Sequence, residues 1–169
     1  MSTKAAIIGL GARGVAWAEL FRDAGWVVSG FDPDPDVMGL TAGTRGWRRG
    51  ETISSTVAQA DWVLCCVSDR LELMTKIIQR AQAEAPKEAI IAVTSRQHDA
   101  DAVQGCAIRA QQVVLLSETE AGAPEVGLTH RNSSDLRVSV LATLSEVCPA
   151  AVFSSGEVGP NQFRDARSA

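Results

Sequence analysis

The chain lacks three features that would each place it in a particular class of protein. Its 169 residues include no apolar run long enough to span a membrane. Its 16 basic side chains are outnumbered by 20 acidic ones, which leaves no basic excess of the kind that binds nucleic acid. Its two histidines and four cysteines show neither a CxxC motif nor metal-ligand spacing. We therefore expect a single soluble domain with no membrane, nucleic-acid or metal partner.

The cysteines and the amino terminus both predict a reducing compartment. Cys65 and Cys66 lie in an apolar run that predicts a buried strand, whereas Cys106 and Cys148 are isolated. Free buried thiols of this kind are typical of cytoplasmic proteins. A strand is predicted to begin at Lys4, which leaves no room before it for a signal peptide. These observations predict a cytoplasmic location.

A glycine motif follows the first apolar run. Gly9, Gly11 and Gly14 have the spacing G-x-G-x-x-G, between a predicted strand and a predicted amphipathic helix. Gly9 permits a tight turn, Gly11 lets a ligand approach the backbone, and Gly14 lets the helix pack against the strand. Asp32 ends the next predicted strand, where a carboxylate can accept hydrogen bonds from ribose hydroxyls. The pattern predicts a dinucleotide-binding unit whose helix amino terminus faces the phosphates; glycines kept for packing alone are the alternative.

Predicted strands alternate with predicted helices, which favours an α/β fold: a doubly wound, mainly parallel Rossmann sheet with helices on both faces. We predict strands at 4–9, 27–31, 62–67, 89–93, 113–116 and 150–153. We predict helices at 13–24, 52–59, 71–84, 100–110 and 133–147, with a further short helix beginning within 32–36. Residues 39–50 fit either a short strand or a loop. Apolar spacing predicts that the first helix buries Val15, Ala16, Leu20 and Phe21.

In such a sheet the ligand binds at the carboxyl ends of the strands, beside the first strand. We therefore predict that the cofactor is bound by residues following four of the strands: Gly9, Leu10, Gly11, Ala12, Arg13, Gly14, Asp32, Val67, Ser68 and Thr94. Asp32 favours NAD, because its carboxylate would repel the 2′-phosphate of NADP. Arg45, Arg48 and Arg49 are candidates for meeting such a phosphate, and a solvated loop is the alternative explanation for them.

Several segments resemble the amino-terminal cofactor domain of the 3-hydroxyacyl-CoA dehydrogenases, namely 8–11, 16–21, 31–35 and 71–95. Residues 156–162 instead resemble the glycine turn opening the interdomain helix of the β-hydroxyacid dehydrogenases, a group that includes 3-hydroxyisobutyrate and 6-phosphogluconate dehydrogenases. The resemblance covers nearly the whole chain and implies NAD as cofactor. It also implies an NAD-binding domain at 1–155 and the truncated start of an interdomain helix at 156–169, with the carboxyl-terminal helical domain absent.

The resemblance is poorer at the catalytic residues. The hydroxyacyl branch uses a histidine after its sixth strand and a glutamate further on, where this chain has Ser117 and Thr129. The hydroxyacid branch uses a lysine on its long helix, where this chain has Arg164 or Asp165. Ser95, after the fifth strand, matches a family active-site residue and is the catalytic candidate.

The remaining base candidate is a histidine in a predicted loop. His130, oriented by Glu118 or Glu125, is either a displaced catalytic base or a surface histidine. The function predicted from the resemblance is therefore an NAD(H)-binding oxidoreductase, or a subunit of one, that acts on a CH–OH group. A non-catalytic dinucleotide-binding or sensing module is the alternative.

Two kinds of partner follow from the missing helical domain. One is a separate polypeptide that supplies an all-helical subunit. The other is a second copy of the chain, because a flank left uncovered after the last strand would be exposed, and exposed apolar patches mark interfaces. We predict a homodimer through residues 151–163.

Overall fold

The predicted alternation of strands and helices is present in the computed structural model, which describes residues 2–41 and 46–153, with the backbone alone at 39–41. The strands are β1 (Lys4–Ile8), β2 (Val27–Phe31), β3 (Arg48–Arg49), β4 (Trp62–Cys65), β5 (Ile90–Thr94), β6 (Val113–Glu118), β7 (Pro124–Gly127) and β8 (Val152–Phe153). The helices are α1 (Ala12–Asp23), α2 (Pro35–Thr41), α3 (Ile53–Val57), α4 (Leu71–Glu84), α5 (Ala100–Gly105) and α6 (Ser134–Val147), with a 3-10 turn at Ala110–Gln112.

The described strands form one sheet in the order β3-β2-β1-β4-β5-β6-β7-β8. The pairs from β3 to β6 are parallel, β7 runs antiparallel to β6, and β8 is parallel to β7. This is the doubly wound, mainly parallel Rossmann fold that the sequence predicts. The strand order reverses between β1 and β4, and such a reversal opens a crevice at the carboxyl ends of the strands.

The register of the strands brings the predicted site residues to one edge. Ile8 pairs with Phe31 on one side and with Cys65 on the other, so the turn after β1 lies between the residues that follow β2 and β4. Thr94 pairs with Leu116 in the same way. Because parallel strands end at the same edge, the segments after β1, β2, β4, β5 and β6 lie side by side there.

Both faces of the sheet are covered, and side chains alternate between them. Along β1, Ala5 and Ile7 pack into one apolar cluster, whereas Ala6 and Ile8 pack into the other. The strands are therefore buried on both sides and read as continuous apolar runs. An aromatic group lies in the first cluster, where Phe21 meets Trp26 edge to face with ring centroids 5.0 Å apart.

The buried face of α1 differs from the predicted one. Its buried residues are Gly14, Trp17, Ala18 and Phe21, whereas Ala16 is exposed. Gly14 fixes this orientation, because it lies in direct contact with the backbone of Gly9. Residues four and seven positions after Gly14 then face the sheet as well. The prediction was correct for Phe21, and Val15 and Leu20 are partly buried against the first apolar cluster, but it was wrong for Ala16 because apolar spacing gave the small glycine no weight.

Two elements after β5 also differ from the predictions. The helix predicted to reach residue 110 ends at Gly105, because the Gln82 side chain accepts the N–H groups of Ile108 at 2.9 Å and Arg109 at 3.2 Å. The strand β7 was not predicted, since its four residues begin with Pro124 and end with a glycine. It returns antiparallel to β6 after a turn at Gly122, which has a φ of +81°.

The weakest predicted region contains a short strand. Within 39–50, Arg48 and Arg49 form β3, and Trp47 is buried at 5% exposure against the first apolar cluster. Arg45, the tail 154–163 of the predicted dimer interface, and Arg164 and Asp165 lie outside the described residues. Among the residues that are described, no helix is long and apolar enough to cross a bilayer.

Candidate functional site

Packing accounts for two of the three motif glycines. Gly9 has a φ of +92°, and its N–H donates to the Phe31 carbonyl at 2.9 Å. A β-carbon at Gly9 would overlap the carbonyl oxygen of Cys66, and one at Gly14 would overlap the carbonyl oxygen of Gly9. Both positions need glycine for the chain to fold back on itself, whether or not a ligand binds.

Gly11 is different, because nothing in the protein requires it. Its φ of −67° and ψ of −172° are available to any residue, and a β-carbon there would meet no atom within 4 Å. It precedes α1, whose first turn contains no acidic residue and whose amino terminus has no side-chain cap. Free N–H groups and open space therefore coincide at Gly11, which is what close approach of a phosphate to the backbone requires.

Asp32 ties the end of β2 to the glycine turn. Its Oδ2 accepts the N–H of Leu10 at 2.8 Å, and its Oδ1 accepts the N–H of Asp34 at 2.9 Å. Each carboxylate oxygen has a second lone pair, so both contacts leave acceptor capacity for a ribose. Asp32 borders a cavity of about 760 Å³ that is lined by Phe31, Asp32, Pro33, Pro35, Met38, Arg49, Gly50 and Glu51.

The basic residues of β3 lie beside this cavity. Arg49 lines it together with Glu51, and both Arg48 and Arg49 are exposed. Glu51 and Asp32 line the same cavity as Arg49, and their negative charges weaken any preference of this cavity for a further phosphate.

The loop after β4 closes the other side of the glycine turn. Val67 is half-buried with its Cγ1 near Gly9, and Ser68 is exposed. Cys66 lies between them and the strand. Burial raises the pKa of its thiol to about 12, and the opposing effects of a hydrogen bond with Thr94 and of the charge of Arg13 are smaller. The thiol is therefore neutral and unreactive near neutral pH. The sequence-predicted residues after β1, β2 and β4 are thus brought together.

Ser95 follows β5 and is buried. Its backbone N–H donates to the Leu116 carbonyl at 3.1 Å, and its Oγ accepts the N–H groups of Gln97 at 3.2 Å and His98 at 3.1 Å. The hydroxyl hydrogen remains available to a ligand. Ser95 borders a cavity of about 600 Å³, which is lined by residues after β5 and β6 and by β7, including Arg96, His98, Ser117, Glu118 and Glu125.

Two side chains at this cavity are fixed by polar contacts. Arg96 pairs with Glu118 at 2.6 Å, and the ring Nε2 of His98 lies 3.2 Å from the carbonyl oxygen of Asp69. Because a carbonyl oxygen can only accept, this contact is a hydrogen bond when Nε2 carries a proton, and Nδ1 is then the ring nitrogen left for another partner. Sequence reasoning missed His98; its position three residues after Ser95 was the available signal.

The other base candidates do not reach the cavity. His130 is exposed in the turn after β7 and is not among the residues lining the cavity. Thr129, at the position of the family glutamate, donates its hydroxyl to Gln104 at 2.6 Å. Gln104 also bonds the Val113 carbonyl and Asn132, so Thr129 belongs to a buried structural network.

This geometry agrees with the comparisons with known proteins. Residues 4–117 match the family model described as the NAD binding domain of 6-phosphogluconate dehydrogenase. The chain belongs to this family. NAD is therefore the cofactor of this NAD-binding domain, and the open space and free N–H groups at Gly11 fit a dinucleotide.

A curated relative matches across much of the same region. L-carnitine dehydrogenase from Mesorhizobium japonicum is 32% identical over 107 residues, a match that covers 52% of this chain. The match spans 29% of the length of the carnitine dehydrogenase, so it concerns one part of that protein.

Solved structures establish the fold. A diketoreductase superimposes with a TM-score of 0.80 at 19% identity, covering 93% of this chain and 65% of its own. The (S)-3-hydroxybutyryl-CoA dehydrogenase from Ralstonia eutropha superimposes with a TM-score of 0.78 at 14% identity, covering 90% of this chain and 63% of its own. The resemblance to the hydroxyacyl-CoA dehydrogenases is therefore confirmed at the level of the fold.

Proposed function

We propose that this domain is the NAD(H)-binding part of an oxidoreductase that acts on a CH–OH group. The observation that carries the proposal is the space above Gly11, which faces the uncapped amino terminus of α1. Packing explains Gly9 and Gly14 but not Gly11, and the position of Gly11 at the uncapped start of α1 supports a role toward a ligand. The relatives with matching sequence or fold include dehydrogenases of hydroxyl-bearing compounds, which supports this reaction class.

The proposed cofactor residues keep the roles that the sequence predicts. Backbone N–H groups at Gly11, Ala12 and Arg13 bind the phosphates, and Asp32 binds the adenosine ribose. The loop containing Val67 borders the glycine turn on its other side, whereas Thr94 is buried at 2% exposure with its hydroxyl donating to the Cys65 carbonyl at 3.5 Å. NAD bound here would supply a hydride acceptor for the carbon that bears the hydroxyl group.

His98 is the proposed proton acceptor for that hydroxyl group. Among the described residues that line the 600 Å³ cavity, it is the one imidazole, a group that can accept the proton of a substrate hydroxyl. Its contact with the Asp69 carbonyl leaves Nδ1 for another partner, and the Ser95 hydroxyl at the same cavity can orient a substrate oxygen. Ser95 is thus proposed as an orienting partner rather than as the base.

The cofactor part of the proposal is tested by calorimetric titration with NADH. Gly11→Ala adds a methyl group where the ligand approaches, and we expect about tenfold weaker binding, the loss typical of a hydrogen bond to a charged group. Gly105→Ala is the matched control, because its added methyl also meets no atom within 4 Å. Wild-type protein that binds no NADH at millimolar concentration would overturn the proposal.

The oxidoreductase part is tested by NADH formation from L-carnitine and (S)-3-hydroxybutyryl-CoA. We expect turnover by the wild type and at least about hundredfold slower turnover in His98→Asn, which removes the proton acceptor, since general base catalysis typically contributes that much. NADH binding without turnover on a broad panel of hydroxy acids and hydroxyacyl thioesters would instead support the non-catalytic module. The domain boundary near 155, the homodimer, the helical subunit and the cytoplasmic location stay predictions.

A further inference from the structure

An ion pair crosses the crevice where the strand order reverses. Arg13 is the second residue of α1, and Asp69 lies in the loop after β4; their nearest atoms, Nη2 and Oδ2, are 3.8 Å apart. Because β1 and β4 are neighbours in the sheet, the pair joins the two loops that border the predicted cofactor crevice.

The pairing of Arg13 with Asp69 is incomplete on both sides. A separation of 3.8 Å is longer than a hydrogen bond. Nη1 of Arg13 and Oδ1 of Asp69 are both buried, and neither has a hydrogen-bond partner. The Asp69 side chain is only 9% exposed, and its Oδ2 accepts the Arg96 N–H at 3.2 Å while its Oδ1 has no protein partner. Buried polar groups are nearly always paired, which makes two unpaired groups at one place exceptional.

The surroundings favour a diphosphate as the missing partner of Arg13. The amino terminus of α1 adds uncapped N–H groups and the positive end of the helix dipole beside the guanidinium. The space over Gly11, two residues away, is open. A guanidinium presents a planar fork of donors that matches two phosphate oxygens, which a single carboxylate oxygen at 3.8 Å does not use.

We propose that Arg13 breaks its pairing with Asp69 and binds the diphosphate of the dinucleotide instead. Asp69 therefore competes with the ligand for Arg13. This proposal rests on the proposed function, since it concerns the same cofactor site. The exchange makes Arg13 the side chain that selects for a diphosphate, whereas Asp32 acts at the ribose. Asp69 holds the guanidinium in the crevice while the site is empty and lowers the apparent affinity of the ligand.

The test is the dissociation constant for ADP-ribose and for NADH, measured by calorimetry on the full chain. Arg13→Met keeps the length of the side chain without its charge, and we expect about tenfold weaker binding of both ligands. Arg22→Met is the matched control, because it makes the same change at the other end of α1, and we expect unchanged binding. Asp69→Asn keeps an acceptor for the Arg96 N–H at 3.2 Å while releasing Arg13, and we expect at least about threefold tighter binding.

The outcomes separate the two proposals. Wild-type affinity for ADP-ribose in Arg13→Met, or an equal loss in Arg22→Met, would overturn the role of Arg13. Asp69→Asn that binds ADP-ribose no tighter than the wild type would overturn the competition. Circular dichroism of each variant checks that the fold is retained, and the lysine variant Arg13→Lys keeps the charge without the fork and should recover part of the affinity. Absence of NADH binding by the wild type would overturn the proposed function instead.

Discussion

The β1–β2 end of the crevice has the groups that cofactor binding requires, whereas the β5–β6 end has fewer of the groups that catalysis requires. At the β1–β2 end, Gly11 leaves room for a ligand and Asp32 is held in place by two backbone N–H groups. At the β5–β6 end, the resemblance to the hydroxyacyl-CoA dehydrogenases sets Ser117 and Thr129 where that group has a histidine and a glutamate, and Thr129 is already bonded to Gln104.

Under the proposed function, cofactor binding and catalysis would use separate parts of the same edge. The β1–β2 end is made mainly of backbone, and its geometry follows from glycine packing against β1. The β5–β6 end depends on side chains that the strands present, and these can be replaced without altering the sheet. The predictions below test whether the two ends are as independent as their construction indicates.

The largest expected effect is on the fold at the β1–β2 end. In Gly14→Ala, the new methyl group overlaps the Gly9 carbonyl, and overpacking against backbone should cost about 3 kcal/mol in the free energy of unfolding. Urea denaturation measures this loss. Gly11→Ala provides the comparison, because its backbone angles suit alanine and its stability should stay equal or rise by about 0.5 kcal/mol. Equal losses of unfolding free energy in both variants would contradict the distinction between Gly14, which packing requires, and Gly11, which packing does not require.

The next effect is on the selection of cofactor. Asp32→Asn removes the negative charge, and we expect about tenfold weaker NADH binding together with a smaller preference for NADH over NADPH. Competition titrations with both cofactors measure the ratio. Asp36→Asn is a matched control on an exposed carboxylate nearby and should change neither affinity. A wild type that binds NADPH as well as NADH would show that Asp32 does not select.

A smaller effect is expected from the other end. Ser95→Ala leaves the N–H groups of Gln97 and His98 without their acceptor, which should cost about 1 kcal/mol of stability. Affinity for NADH should change less than about twofold, a difference well below one hydrogen bond. Thermal unfolding and NADH titration of the same preparation check both values. A loss of affinity as large as that of Asp32→Asn would mean that the two ends act as one unit.

The smallest effect is expected at the rim of the 600 Å³ cavity. Arg96 and Glu118 form a close ion pair, but their side chains are 60% and 37% exposed. Screening by water limits such a pair, so Glu118→Gln should cost less than about 0.5 kcal/mol of stability. Urea denaturation at low and high salt measures it. A loss above about 1 kcal/mol that disappears in salt would show that the pair supports the cavity.

Sequence patterns predicted the β1–β2 end better than the β5–β6 end for a physical reason. The spacing of Gly9, Gly11 and Gly14 and the acid at position 32 belong to one continuous βαβ segment, whose geometry depends on local rules. The strand boundaries near this segment were correct to within one residue, with β2 at Val27–Phe31 as predicted.

Contacts that the sequence patterns did not predict, at the β5–β6 end and elsewhere in the molecule, join distant segments. The pairing of Arg13 with Asp69, the contact of His98 with the Asp69 carbonyl, and the ending of α5 by Gln82 each join residues at least 26 positions apart. No periodicity within one element reports such contacts. The strand β7 was missed for a related reason, since four residues between a proline and a glycine acquire strand geometry only by pairing with β6.

The unequal demands on the three motif glycines have a consequence for tracing descent among such domains. A lineage that stopped using a cofactor would still need glycine at positions 9 and 14, because any side chain there collides with its own backbone. Position 11 would be free to drift, since alanine, serine or larger residues fit its angles and its surroundings. Glycines at positions 9 and 14 therefore indicate common descent, whereas the residue at position 11 indicates whether a domain still binds the cofactor.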